Sequence, residues 1–151
     1  MHRLAVVLLL LAAAGCASTP LIPSGTYFGY ESLCNLSSEE DPDAYWFHEN
    51  TLTVKGNEVQ LEKAPRHLSK GKVWASASDG GFFTYKGTME HVGGRLVITF
   101  RDVKCDYCAR RVDAPPVEEY IVPLAEDGTF HVNHVRYSKE RNAELSWKPG
   151  A

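Results

Sequence analysis

Two adjacent glycines, Gly93-Gly94, interrupt a run from Phe82 to Val103 that alternates apolar and polar side chains, and this limits the fold more than any other feature of the 151-residue chain. Glycine tolerates positive φ, so two in succession suit a two-residue hairpin loop. Val92 then faces Arg95, and the register follows. Gly87 lies opposite Phe100, Met89 opposite Ile98 and His91 opposite Leu96 on one face; Lys86/Arg101, Thr88/Thr99 and Glu90/Val97 share the other. One face is largely apolar and the other polar, the pattern of an antiparallel ribbon with one side on a core. The hairpin runs on into Cys105-Asp106-Tyr107-Cys108, the only close cysteine pair in the chain.

The same alternation recurs along the chain. Gly25 to Leu33 reads as a first strand ended by Cys34, and the acidic stretch Asn35 to Asp43 that follows lacks the regular carboxylate spacing of a calcium loop. Tyr45–Val54 and Glu58–Lys63 form a hairpin around Gly56-Asn57, with Val54 opposite Val59, Leu52 opposite Leu61 and Lys55 opposite Glu58. Ala64 to Gly71 reads as a loop. Lys72–Ser78 reads as a strand that turns at Asp79-Gly80-Gly81, setting Ala77 opposite Phe83 and Ala75 opposite Tyr85. Pro115-Pro116 forbids a regular ladder in the segment 104–116. Val117–Leu124 and Thr129–Tyr137 are expected to pair across Glu126-Asp127-Gly128, with Leu124 opposite Phe130 and Val122 opposite Val132. Beyond Val132 the alternation changes phase, which points to a bulge near Asn133-His134. With no repeat and no sustained helical period, about eight strands joined mostly by tight turns predict an all-β, antiparallel meander forming a small barrel or a sandwich.

The N-terminus is of another kind. Met1-His2-Arg3 is basic, Leu4 to Ala14 is uniformly apolar, and small residues lead to Cys16. This is a signal peptide, too short for an ordinary membrane-spanning helix. Ala13-Ala14-Gly15-Cys16 resembles the lipobox of bacterial lipoproteins. The resemblance implies cleavage before Cys16, a diacylglycerol on its sulfur and an acyl chain on its new amino group. Each buried methylene contributes about 0.8 kcal/mol, so several chains anchor the protein stably to the membrane. Ala17, under the sorting rule that accompanies the resemblance, favours the outer membrane, with the domain on its periplasmic side. The expected organisation is a signal peptide over 1–15, a lipidated tether over 16–24, a β-domain over 25–138 and a tail or short helix over 139–151. Of 16 basic residues only Arg3 is lost on cleavage, against 19 acidic ones retained, leaving a mature charge of −4. With no basic run, nucleic-acid binding has no electrostatic footprint.

Gly25-Thr26-Tyr27 resembles the Gly-x-Trp start of lipocalin-like barrels, with tyrosine in place of tryptophan. The resemblance implies a ligand cavity, for which Phe28, Tyr30, Phe83, Tyr85 and Phe100 are the candidate lining. No nucleophile elbow, zinc-protease helix, phosphate-binding loop or dinucleotide fingerprint is present, so the chain reads as a non-enzymatic binding or structural module for a small apolar ligand or an envelope protein.

Beside Cys16 the chain has Cys34, Cys105 and Cys108. In an oxidising compartment an odd number means one disulfide with a leftover thiol, or a metal. Cys34 is expected to pair with Cys105 or Cys108, or Cys105 with Cys108. A redox role would need a helix start after the strand to lower the thiol pKa, and Ala109 to Pro115 is a poor helix. The competing reading is a copper or zinc site of Cys34, Cys105 and Cys108, with His48, His67, His91, His131 or His134 as a fourth ligand. His131 and His134, three apart on a strand, point to opposite faces unless the bulge realigns them. Gly25 to Cys34 resembles the first strand of copper- and stress-linked envelope lipoproteins. Ser76 to Phe82 is similar to the Ser-x-Ser-Gly segment of lipoprotein inhibitors of lysozyme, which would make the partner a lysozyme.

Overall fold

The computed structural model describes residues 22–75, 81–106, 118–123 and 125–141. Among them are nine strands and no helix: β1 (Gly25–Asn35), β2 (Tyr45–Lys55), β3 (Glu58–Ser69), β4 (Lys72–Ala75), β5 (Phe82–Val92), β6 (Arg95–Asp106), β7 (Glu118–Ile121), β8 (Phe130–Val132) and β9 (Val135–Ser138). All pair antiparallel in one sheet of order β7-β6-β5-β3-β2-β1-β9-β8, with β4 hanging off β3. The sheet curls into a nearly closed barrel, and one core cluster draws on both of its ends: Leu96, Ile98 and Phe100 of β6 meet Phe130, Val132, Val135 and Tyr137 of β8 and β9. Closure removes most of the edge that an open sheet would expose.

The central hairpin forms on its glycines. Gly93 and Gly94 have φ of 57° and 76°, and the pairing Gly87↔Phe100, Met89↔Ile98, His91↔Leu96 is the one expected. Lys86 meets Asp102 rather than Arg101, because the register shifts between Lys86 and Gly87. At that shift the strands come so close that a Cβ on Gly87 would lie 2.1 Å from the Thr99 carbonyl oxygen. Only glycine fits there. The Gly56-Asn57 hairpin also has the expected register, Val54↔Val59, Leu52↔Leu61 and Lys55↔Glu58.

Other expectations are corrected. Ala64 to Gly71 is no loop: β3 continues to Ser69, then turns at Lys70-Gly71, both with positive φ. β4 folds back on the end of β3, pairing Ala75 with Arg66, so β5 pairs with β3 and Tyr85 faces Leu61 instead of Ala75. Ser76 to Gly80, including Ala77, lie outside the described residues. The phase change near Asn133-His134 is a reversal and not a bulge: β8 and β9 form their own hairpin, Val132↔Val135 and Phe130↔Tyr137, with Asn133 at φ 58°. Val122 hydrogen-bonds by its N–H to the Leu96 carbonyl, and β7 pairs with β6, so Val122 does not face Val132. Leu124 is outside the described residues. Ile22, expected in the tether, is buried in the barrel core.

Candidate functional site

Period-two alternation sorts every barrel side chain inward or outward. Inward, the barrel is filled. Tyr27, Leu52, Val54, Val59, Leu61, Met89, Ile98, Phe100, Phe130 and Tyr137 are all buried in one cluster, with Tyr85 packed against it. The residual cavity measures about 20 Å³ and is lined by Glu31, Asn50, Lys63, Tyr85, Tyr120 and Tyr137 among others. That is room for no more than about one water molecule. Asn50 is fully buried there, its amide beside the Tyr137 hydroxyl. Burial pushes the Tyr137 hydroxyl well above the ordinary tyrosine range.

Towards the rim the inner face turns ionic. Glu31 accepts a hydrogen bond from Lys63 Nζ at 3.1 Å, with His48 Nδ1 at 3.8 Å from one carboxylate oxygen and His134 Nε2 at 3.8 Å from the other. The His48 imidazole and the Lys63 ammonium hold the Glu31 carboxyl down at about 2, against the opposing push of burial. His134 therefore joins Glu31 from the β8–β9 turn, while His131 stays on β8, paired with Arg136.

Outward, across β1, β2 and β3, a second and smaller apolar cluster forms from Phe47 and Leu68 with Tyr30 and Tyr45. Beside it lies a groove of about 410 Å³ lined by Tyr30, Phe47, Glu49, Arg66, Val73 to Ala75, and Arg141. Glu49, 8% exposed, is its fixed anion. It accepts hydrogen bonds from Arg66 Nη2 at 3.1 Å and from Arg141 Nη2 and Nε at 2.7 and 3.2 Å. The Arg141 guanidinium also lies over the Phe28 ring at 5.6 Å, a cation–π contact. Tyr30 Oη is buried at the same place without a hydrogen-bond partner, and burial, followed by the Glu49 charge, raises its pKa. Trp74 and Val73, at 56% and 43% exposed, give the groove an apolar lip. A second groove of about 610 Å³ adjoins at Tyr30 and is bordered by Phe28, Arg136 and Lys139.

The five proposed cavity residues are thus divided. Phe28 and Tyr30 belong to the outer grooves, whereas Phe83, Tyr85 and Phe100 face the interior as an aromatic stack, centroids 6.3 Å apart for Phe83–Tyr85 and 5.7 Å for Tyr85–Phe100. The cysteines are divided as well. Cys34 ends β1 and Cys105 ends β6 at the same rim, but in the strand order they stand four strands apart in either direction around the ring. A disulfide needs Cα atoms within about 7 Å, and strands are spaced about 4.8 Å, so the Cys34 bridge does not form. Cys34 is a free, exposed thiol. No cluster of three metal-ligating side chains occurs among the described residues. Cys16 and Cys108 lie outside them, and His67 stands edge-on to Trp46. His91 pairs with Leu96 near the Gly93-Gly94 turn.

Sequence reasoning missed Glu31, Glu49, Arg66, Arg141 and Trp74. One signal was legible: Phe47 falls in the outward phase of β2 and Asn50 in the inward phase, each opposite to the rest of the strand. Compared with family models, characterised proteins and solved structures, the chain matches none at a significant level.

Proposed function

We propose that this chain is an envelope lipoprotein, anchored to the outer membrane through lipid on Cys16, whose barrel is a non-enzymatic scaffold that engages an envelope protein through its outer face. The observation that carries this reading is the contrast between an interior with about 20 Å³ to spare and an exterior with two adjoining aromatic grooves. A small apolar ligand finds no cavity among the described residues, so a carrier role has little support. A copper or zinc role through Cys34, Cys105 and Cys108 has little more, because Cys34 stands across the ring from Cys105. A Cys105–Cys108 loop fits this reading as a clip on the end of β6. The lysozyme-inhibitor reading rests on Ser76 to Phe82, of which only Gly81 and Phe82 are described.

The test has two arms. Intact mass and labelled palmitate on wild type and Cys16→Ser should show the lipid on the first only. Photo-crosslinking in the envelope, from probes at Trp74 and Lys139 and from a control at Gln60 on the polar outer face, should give a discrete protein adduct from the first two. Adducts from all three alike, or lipid co-purifying with the native barrel, would overturn the scaffold reading.

A further inference from the structure

We propose that the groove between β4 and the outer face of β1–β3 is the seat of the chain's own C-terminal segment, residues 142–151. The assignment stands on the groove and holds whether or not an external partner exists.

The segment starts inside the site. Arg141 is the last described residue, and its guanidinium is already hydrogen-bonded to Glu49 in the groove and stacked on Phe28. Asn142-Ala143-Glu144-Leu145-Ser146-Trp147 follows directly. Six residues span up to about 20 Å when extended, ample for a groove of this size. The chemistry of the two is complementary. Arg66 and Arg141 converge on the single carboxylate of Glu49, which leaves one positive charge over, and Glu144 supplies an acid. Val73 and Trp74 are large apolar side chains left exposed beside the Phe47–Leu68 cluster, and Leu145 and Trp147 supply apolar area to cover them. Tyr30 Oη, buried and unpartnered at the same groove, is a donor that a backbone carbonyl of an incoming segment satisfies.

Tethering decides occupancy. A short linker gives a segment an effective concentration of about millimolar at its site, so a contact of only millimolar affinity is already about half filled and a tighter one is largely filled. Any separate protein reaching for this groove has to displace the segment first.

The experiment is solution NMR on the full chain carrying Cys16→Ser. Nuclear Overhauser contacts are expected from the Trp147 indole to Trp74, Phe47 or Val73, independent of protein concentration. In Trp74→Ser, an exposed position whose loss leaves the barrel folded, exchange of the Trp147 indole N–H should quicken about tenfold, the worth of one aromatic contact. The double variant Leu145→Ser/Trp147→Ser should shift the amides of Tyr30, Phe47, Arg66 and Val73 to Ala75 and leave those of β5 and β6 in place. Each of the alternatives overturns the proposal: a Trp147 indole without contacts, contacts centred instead on Arg136 and Lys139, contacts that appear only on raising the concentration and so come from a second copy, or collapse of the β5–β6 amides in the double variant, which would make the segment part of the core.

Discussion

Glu31 and Glu49 lie on neighbouring strands and are both covered by cations, yet one faces into the barrel and the other out of it. Glu31 takes a lysine with two histidines at the mouth of an interior with room for about one water molecule. Glu49 takes two arginines, one of them from beyond β9, at the floor of an open groove. Lysine is a compact point charge that closes a pair, whereas the guanidinium is a planar fork that keeps donors to spare after one carboxylate has been satisfied. The inner carboxylate therefore holds strands together, and the outer one holds two guanidiniums ready beside exposed aromatic surface. The difference separates what makes this barrel stable from what it presents.

That separation can be broken from the inside first. Gly87→Ala drives a Cβ into the Thr99 carbonyl, and urea denaturation should show a loss of at least about 4 kcal/mol or no folded protein at all. Next in size is Phe100→Ala in the sealed core, expected to cost about 3–5 kcal/mol in the same assay. Phe47→Ala, in the smaller cluster beside the groove, should cost about 3 kcal/mol, the low end for a buried phenylalanine; a loss larger than that of Phe100→Ala would erase the distinction between the two clusters.

The inner carboxylate gives a pH signature. The folded pKa of Glu31 is about 2 against an ordinary 4.5, so its contribution is fully present above pH 4.5 and lost as pH falls towards 2. At most about 3 kcal/mol should disappear across that window, followed by the urea midpoint, and Glu31→Gln should flatten the slope. A slope unchanged by Glu31→Gln would put the acid sensitivity elsewhere.

The smallest effect belongs to the outer lip. Trp74→Ser should change stability by less than about 0.5 kcal/mol, since the side chain is mostly in water, while weakening the contacts made through the groove. A large loss of stability would show that β4 belongs to the core after all.

The hairpin β5–β6 was legible because its information is local: two glycines fix the loop, the loop fixes the register, and the register agrees with the burial of Met89, Ile98 and Phe100. The β2–β3 hairpin was legible for the same reason. β3 and β4 were misjudged because the Lys70-Gly71 reversal competes with the turn signal of Asp79-Gly80-Gly81, and the chain uses the first to fold β4 back while β5 takes over the edge of β3. At Asn133-His134 a bulge and a two-residue turn change the strand's phase alike, and only pairing partners distinguish them. The groove was hidden for a further reason. Glu49 and Arg141 are 92 positions apart, and their meeting requires β9 to lie against β1.

By itself the sequence determined the all-β class, the β2–β3 register and the β5–β6 register from the turn to Gly87, since alternation and turn chemistry act over a few residues. Only the tertiary structure decided that the sheet closes, that Cys34 and Cys105 stand on opposite sides of the ring, that the interior is full, and that Glu49, Arg66, Arg141 and Trp74 share a groove. Those facts depend on which distant strands become neighbours. The neighbours are set by how the whole apolar face is buried at once, a property that no short stretch of the chain carries.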